Sequence, residues 1–427
     1  MDISRESIGN GIYLNKVITH KFKSNLISIN LIRPLERSEV SLNSLLSQVL
    51  GRGTTDLNSK AKLERKLEEL YGAHLGVNIS KRGERQVLRI SMEWADSRFT
   101  KDETYEKEVI KVFRDILFSP QMEEDKFRES LVEGEKKNLI NKIESKVNDK
   151  RTFALNRCIE EMCKGEAFSI YQLGYVEDVE GITSKSLTDH YKSILNDSQI
   201  EIIYVGKDNS LIDGSLVPEE YLDRKNIVEV PREYIPNENF QKNHIVEKED
   251  VTQGKLVVGY RSNIPYEDNL YSALLLGNEI FGGGPNSKLF KDVREKNSLA
   301  YYVGTNLIKH KSIILLDAGI DIKNYQKTID IIQTQLDDMK KGDFQDEDME
   351  IAKKAIKTSS QSIIDSPHLM GEFTLGKIIS KDGRSLDMMI DDIEKVSRED
   401  IISAMNTITI DTIYFMTAKE VEYNEGN

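Results

Sequence analysis

The same helical pattern occurs twice in this chain, 220 residues apart. Tyr105, Val109, Val112 and Ile116 recur as Tyr325, Ile329, Ile332 and Leu336. Each set repeats at three and four residues, which lines one face of a helix with apolar side chains. Each stretch leads into a short acidic turn, MEEDKF at 122–127 and FQDEDM at 344–349. Each turn opens a second, polar-rich helix, expected over 124–164 and 346–364. Self-similarity over this length calls for one domain built twice. The acids suit helix N-termini, where the macrodipole favours anions. They lack the ligand spacing of an EF-hand.

The two halves also end alike. Residues 188–208 predict a helix and then a strand, SQIEIIYVGKD, and residues 398–419 predict the same, ending TIDTIYFMTAK. Strand-like alternation lies within each half. Ile27, Ile29 and Leu31 alternate with Ser28 and Asn30, and Leu88, Ile90, Met92 and Trp94 alternate with polar residues. Leu256–Val258 and Ile313–Leu316 are strand candidates in the second half. Strands and long helices without a regular βα alternation indicate an α+β fold. Residues 209–250 hold Pro218, Pro231 and Pro236, many charges and no sustained periodicity. They read as a linker between domains at 1–208 and 251–427.

Composition removes several functional classes. The net charge of -13 argues against nucleic acid and against an anionic membrane surface. No apolar run approaches the ~20 residues of a membrane-spanning helix. The N-terminal residues lack the basic and apolar regions of a signal peptide, so a cytoplasmic protein is expected. Two cysteines, Cys158 and Cys163, make a disulfide framework improbable and read as inert thiols on one helix. None of the six histidines (His20, His74, His190, His244, His310, His368) has another three or four residues away. No GxSxG elbow is present, and no cysteine–histidine context points to nucleophilic catalysis.

The most specific motif is FGGGPNSKLFKDVREKNSLAYYVG, residues 281–304. Its glycines do not make a phosphate loop, because GGGPNSK lacks the Gly-Lys-Ser/Thr ending. Its order and spacing are a glycine turn (Gly282, Gly283, Gly284), Ser287, Leu289-Phe290, Arg294-Glu295 and Leu299-Ala300-Tyr301. This resembles the C-terminal signature of the pitrilysin/insulinase (inverzincin) zinc peptidases. The first half resembles the family too. The run LNSLLSQVLGRGT (42–54) stands before SKAKLERKLEELYGAHLGVNIS (59–80), with Leu63, Leu67 and Leu70 on one helical face and Gly72 at its end.

In that family, a helix preceding a Gly-Thr pair carries H-x-x-E-H. Two histidines at i and i+4 share a zinc ion, and the glutamate takes a proton from the metal-bound water. Anchored on Gly53-Thr54, the first histidine position falls on Ser44, the glutamate on Ser47 and the second histidine on Gln48. On the later helix EGEKKNLINKI (133–143), Glu135 fits an accompanying acid, and Lys142 stands at the third ligand. The other reading of Lys142 is a solvated cation on a helix surface. Hydroxyls, an amide and an ammonium neither hold zinc nor act as a carboxylate base. The resemblance therefore implies a non-catalytic member with no zinc.

The resemblance covers nearly the whole chain. It implies two tandem domains, each an antiparallel-rich sheet with helices packed on one face, together half of a clamshell. The other half would come from a catalytic paralogue, as in the mitochondrial processing peptidase, or from a second copy of this chain. Arg294 and Tyr301 match residues that contact substrate; their alternatives are an ion pair and packing at a helix-to-strand corner. Leu75, Gly76, Val77, Asn78, Ile79 and Ser80 match the edge strand on which family peptides dock, or form an ordinary sheet edge. The whole pattern most resembles bacterial members associated with 5-aminopentanol modification of elongation factor P. Two other functions stay open here. One is a peptide-binding scaffold without peptidase activity. The other is a hydrolase with a relocated metal site.

Overall fold

The computed structural model describes residues 3–100, 102, 104–236 and 242–419. The first half runs β1 (Ser4–Gly9), β2 (Ile12–Ile18), β3 (Ser24–Pro34), α1 (Arg37–Leu50), α2 (Lys60–Glu69), β4 (His74–Lys81), β5 (Arg85–Ala95), α3 (Ser97–Thr100) and α4 (Tyr105–Phe118). It continues through β6 (Met122–Glu123), β7 (Lys126–Phe127), α5 (Glu129–Glu144), α6 (Lys150–Met162), α7 (Val176–Glu180), α8 (Ser184–Asp197) and β8 (Gln199–Gly206). The second half runs β9 (Asn243–Glu249), β10 (Gly254–Arg261), α9 (Tyr271–Asn278), β11 (Ala300–Ile308) and β12 (Ile313–Ile320). Helices α10 (Tyr325–Lys341), α11 (Asp346–Gln361), α12 (Pro367–Ser380), α13 (Leu386–Glu394) and α14 (Arg398–Asn406) then precede β13 (Thr409–Ala418).

The duplication is visible in the sheets. The first has the order β1-β2-β8-β3-β5-β4, and the second β11-β12-β10-β13-β9. Read in the same direction, β2, β8, β3, β5 and β4 correspond to β9, β13, β10, β12 and β11. Each sheet holds one parallel pair, β2 with β8 and β9 with β13, in an otherwise antiparallel ladder. Both halves are therefore α+β, as their mixed strand and helix signals predict.

The repeated helical stripes are core. Tyr105, Val109, Val112 and Ile116 of α4 are buried against the first sheet. Tyr325, Ile332 and Leu336 of α10 are buried against the second, with Ile329 packed beside them. Strand β5 keeps the alternation expected of it, with Leu88, Ile90, Met92 and Trp94 inside and Arg89, Ser91 and Glu93 half-buried.

Packing divides the chain otherwise than the partition at 1–208, 209–250 and 251–427. One compact unit is 1–144, 170–232 and 363–381; the other is 145–169, 233–362 and 382 onward. The cause is an exchange of equivalent helices. Helix α12, from the second half, lies on β3 and β8, and Met370, Leu375 and Ile379 pack with Leu26, Ile32, Ile203 and Val205. Helix α6, from the first half, lies on β10 and β13, and Ala154, Cys158 and Met162 pack with Val257 and Tyr414. The first sheet therefore carries a helix on its second face as well.

That exchange explains a local surprise. Strand β3 is buried on both faces, Ser28 and Asn30 included. Asn30 donates to Glu201 O at 2.9 Å and accepts from Arg89 Nε at 2.7 Å. Glu372 of α12 pairs with Arg82 and Arg89. The polar half of the alternation is thus satisfied under a helix rather than by water.

Two other expectations change. The single helix expected over 124–164 is a two-residue hairpin followed by α5 and α6. Asp149 breaks it by capping α6, accepting from Thr152 N. The segment expected as a linker is structured at both ends. Ile212, Leu216 and Val217 fill the first core, and Asn243–Glu249 is strand β9. Cys158 and Cys163 are buried and unbridged, and burial pushes the Cys158 thiol up. Among the described residues, no helix is long and apolar enough to cross a membrane.

Candidate functional site

Helix α1 points Leu45, Leu46, Val49 and Leu50 into the first core. Its opposite side carries the positions expected for a metal motif. Ser44 is sealed, with 1% of its surface exposed. Its hydroxyl donates to the carbonyl of Gln172 at 3.1 Å, and Gln86 Nε2 donates to the same carbonyl at 2.9 Å. The Ser47 hydroxyl turns back to the carbonyl of Ser44 at 2.8 Å. Beneath them, Asn43 donates to Gln86 Oε1 at 2.8 Å and accepts from His190 Nε2 at 2.7 Å. Burial drives the His190 imidazole down to about 4, against the opposing pull of Glu39. The neutral ring is therefore the form this network holds.

Ser47 and Gln48 line a cavity of about 230 Å³, together with Gly51, Arg52, Lys60, Leu75, Val77, Glu135 and Lys142. Helix α5 supplies the last two. Seven residues apart, they share one helical face, while Val132, Leu139 and Ile143 anchor the helix in the core. Lys142 Nζ lies 3.3 Å from Gln48 Oε1. The structure thus brings together three of the four expected positions, Ser47, Gln48 and Lys142, and leaves Ser44 beneath Gln172.

Arg52 and Lys60 were not singled out by sequence. Arg52 follows Gln48 by four residues, but α1 ends at Leu50 and Arg52 stands in the turn beyond it, so helical spacing does not place it. Its guanidinium grips Glu135 in a two-pronged pair, Nε to Oε1 at 2.7 Å and NH2 to Oε2 at 2.9 Å. Asn138 Nδ2 adds a bond to the same carboxylate at 3.1 Å. The donor set does not fit zinc. A hydroxyl, an amide and three cations surround one carboxylate already engaged by arginine. Among the described residues, no group of three or more His, Cys, Asp or Glu could hold a metal ion.

Strand β4 forms one wall of this cavity through Leu75 and Val77. It pairs with β5 alone and ends the sheet order, so its other edge is open among the described residues. Leu75, Gly76, Val77, Ile79 and Ser80 are half-buried, while Asn78 and His74 are exposed.

The second-half signature lies in the other unit. The glycine turn continues α9 as a widened π-helical turn, Glu279–Gly283. A side chain at Gly282 would place Cβ 2.6 Å from Thr305 Cγ2, and one at Gly283 would meet the Glu279 carboxylate at 2.2 Å. Close approach, not a positive φ, demands glycine at 282, whereas at 283 the flexible Glu279 side chain can swing aside. Arg294 is exposed in the π-helical segment Phe290–Lys296, its guanidinium 4.8 Å over the Phe290 ring. Among the described residues it makes no ion pair. Tyr301 is 69% exposed, not packed in a corner. It occupies a bulge, since β11 pairs Ala300 with Ile320 and then Tyr302 with Gly319. Such a bulge re-aims one side chain out of the ladder.

Residues 181–356 match the family model described as the peptidase M16 inactive domain. Over 411 residues the chain is 33% identical to the probable inactive metalloprotease YmfF of Bacillus subtilis (strain 168), covering 96% of each protein. The chain belongs to the M16 peptidase family. Within it, this is a catalytically inactive homologue, consistent with the donors found around Gln48. A shorter match, 24% identical over 168 residues, covers 38% of this chain and 40% of the uncharacterized zinc protease YmxG of the same strain. A conserved protein of Enterococcus faecalis V583 superposes with a TM-score of 0.89 at 25% identity, over 99% of this chain and 100% of the other. The M16 inactive domain protein of Pseudomonas fluorescens shares the fold, with a TM-score of 0.80 at 15% identity, over 99% and 100%.

Proposed function

We propose that this M16 homologue is the binding subunit of a two-protein zinc peptidase, whose catalytic partner carries an intact H-x-x-E-H helix. The observation that carries the proposal is the pairing of a zinc-incompatible pocket with an open strand edge beside it. Metal chemistry has been replaced while the docking edge remains. An extended peptide can add to β4 through main-chain hydrogen bonds, a mode with little demand on sequence. Exposed Arg294 and Tyr301 supply a guanidinium and a phenol that can hydrogen-bond a peptide carbonyl or a developing oxyanion in the partner's site. An inactive metalloprotease and a zinc protease named among the relatives come from one bacterial strain, which supports a division of labour.

The test is reconstitution. The purified chain and an H-x-x-E-H paralogue should co-purify, and only the mixture should cleave unfolded polypeptide. Arg294→Ala should lower turnover of the mixture by at least about tenfold while assembly by size-exclusion chromatography stays intact. Full turnover in that variant removes Arg294 from the site. A stable homodimer that ignores every such paralogue would favour a scaffold that works without a peptidase. The narrower setting, elongation factor P bearing 5-aminopentanol, rests on the family resemblance. Deleting the gene should then change the intact mass of that factor.

A further inference from the structure

We infer that the pocket at the former metal position is a carboxylate subsite, which reads an acidic group of a peptide lying along β4. The inference rests on the strand-docking reading above and adds a substrate preference to it.

The pocket's charge is the first ground. Arg52, Lys60 and Lys142 face one carboxylate, Glu135, so its lining is net positive in a chain of net charge -13. Glu135 does not cancel the field on its own. It is buried and bonded to Arg52 and Asn138, a fixed element of the wall. Of the five N–H groups on the Arg52 guanidinium, only some reach Glu135, and the rest can serve a second acceptor. Lys60, paired with Glu64 at 3.3 Å, and Lys142, bonded to Gln48, are exposed at the rim, where such solvent-exposed contacts can be exchanged for a ligand's carboxylate. Because Lys142 holds the oxygen of Gln48, the Gln48 amide has its NH2 left to donate. Each of these groups offers protons, and a peptide carboxylate is the acceptor that matches them with charge-assisted bonds.

Position is the second ground. Leu75 and Val77 are two residues apart, so both point to the pocket side of β4. A peptide added to that edge alternates in the same way, and every second side chain faces the pocket side. The carboxylate must therefore sit at one register position. Moving it by one residue swings it to the opposite face.

The experiment uses the full chain and fluorescein-labelled, β-prone decapeptides. A single Glu is scanned along the peptide against a Gln-matched set, each made with a free and with an amidated C-terminus. Anisotropy titrations at low and physiological salt read affinity. The expected result is that Glu at one position, or the free C-terminus, tightens binding by about tenfold over its neutral match. The gain should vanish at the two adjacent positions and shrink with salt. The amidated series tells whether the carboxylate comes from a side chain or from the chain end. Lys142→Gln should remove the preference, and Lys142→Glu should reverse it. Lys142 is solvent-exposed, so both variants should keep the wild-type circular dichroism. If Glu and Gln peptides bind the wild type equally at every position, the carboxylate inference fails and strand docking stands. If no peptide binds at all, the docking reading fails and takes the inference with it.

Discussion

The two halves of the chain build one frame and furnish it with opposite charge. In the first unit, α1 and α5 border a cavity of about 230 Å³ that holds Gln48, Arg52, Lys60 and Lys142. In the second, the turn after α9 and helix α11 border a cavity of about 170 Å³ that holds Glu279 and Asp348. Sheet order and helix sequence are kept between them, but the polarity is not. Burial raises the Glu279 carboxyl, and no ion pair to it is found among the described residues; Glu135 is ion-paired with Arg52 at 2.7 Å. The frame is set by apolar stripes and strand pairing. The chemistry of each cleft is set by a few side chains on the helix faces that the frame brings together. That separation lets an M16 fold lose its catalytic residues without losing its shape.

Breaking the polar wall of each cleft should show how differently the two are built. Arg52→Ala strands Glu135, only 6% exposed in its side chain, and should cost about 3 kcal/mol of unfolding free energy. Lys291→Ala removes the partner of Asp348, but that lysine is 45% exposed and Asp348 still caps α11. It should cost less than about 1 kcal/mol. Urea denaturation of both variants measures the gap. Equal losses would mean that the first pocket has no special dependence on its ion pair.

The glycines sharpen the same comparison with a smaller effect. Gly51 ends α1, and a Cβ there would have its nearest neighbour at 3.6 Å, an ordinary contact. Gly282 continues α9, and a Cβ there would collide with Thr305. Gly51→Ala should lie within about 0.5 kcal/mol of the parent, and Gly282→Ala should lose about 2 kcal/mol. Thermal melts of the two alanine variants decide it. A tolerant Gly282 would mean the π-helical turn can relax, and close packing would no longer explain that glycine.

Much of the frame was legible because it is written in periodicities. The stripes Tyr105–Ile116 and Tyr325–Leu336 and the alternation in β5 report local geometry directly, and both copies agree. The exchange of α6 and α12 left no local trace. Its consequence, Ser28 and Asn30 buried under a helix from the other half, depends on contacts hundreds of residues apart. The site divides in the same way. Ser47, Gln48 and Lys142 could be placed together only through the family resemblance, since helix period alone pairs Ser44 with Gln48 and cannot bring in Lys142 from α5. Arg52 and Lys60 lie on a turn and the next helix. Their approach to the pocket follows from how α2 and β4 pack, and single-residue signals do not carry that information. Tyr301 was readable as a signature residue, but its release from the ladder by a bulge needed the strand register.

The smallest of these effects belongs to the polar layer under α1, which has no counterpart described in the second cleft. His190 is held near a pKa of about 4 by burial, against an ordinary value near 6.5. Its folded-state pKa is depressed, so the neutral ring is the form the fold prefers. The stability it supports is complete above pH 6.5. It declines as acid protonates the unfolded chain first, and the decline ends near pH 4. Glu39, which pulls the other way, is itself held down by Arg33, and Asp197 also faces the ring. Between pH 7 and pH 5 the loss from this one group should be about 1–2 kcal/mol. His190→Gln keeps a donor for Asn43 and removes the titration. Urea midpoints for parent and variant should therefore converge as the pH falls from 7 to 5. Parallel curves would show that the imidazole is not held neutral, and the Asn43–His190 bond would lose its role in fixing the helix that carries Gln48.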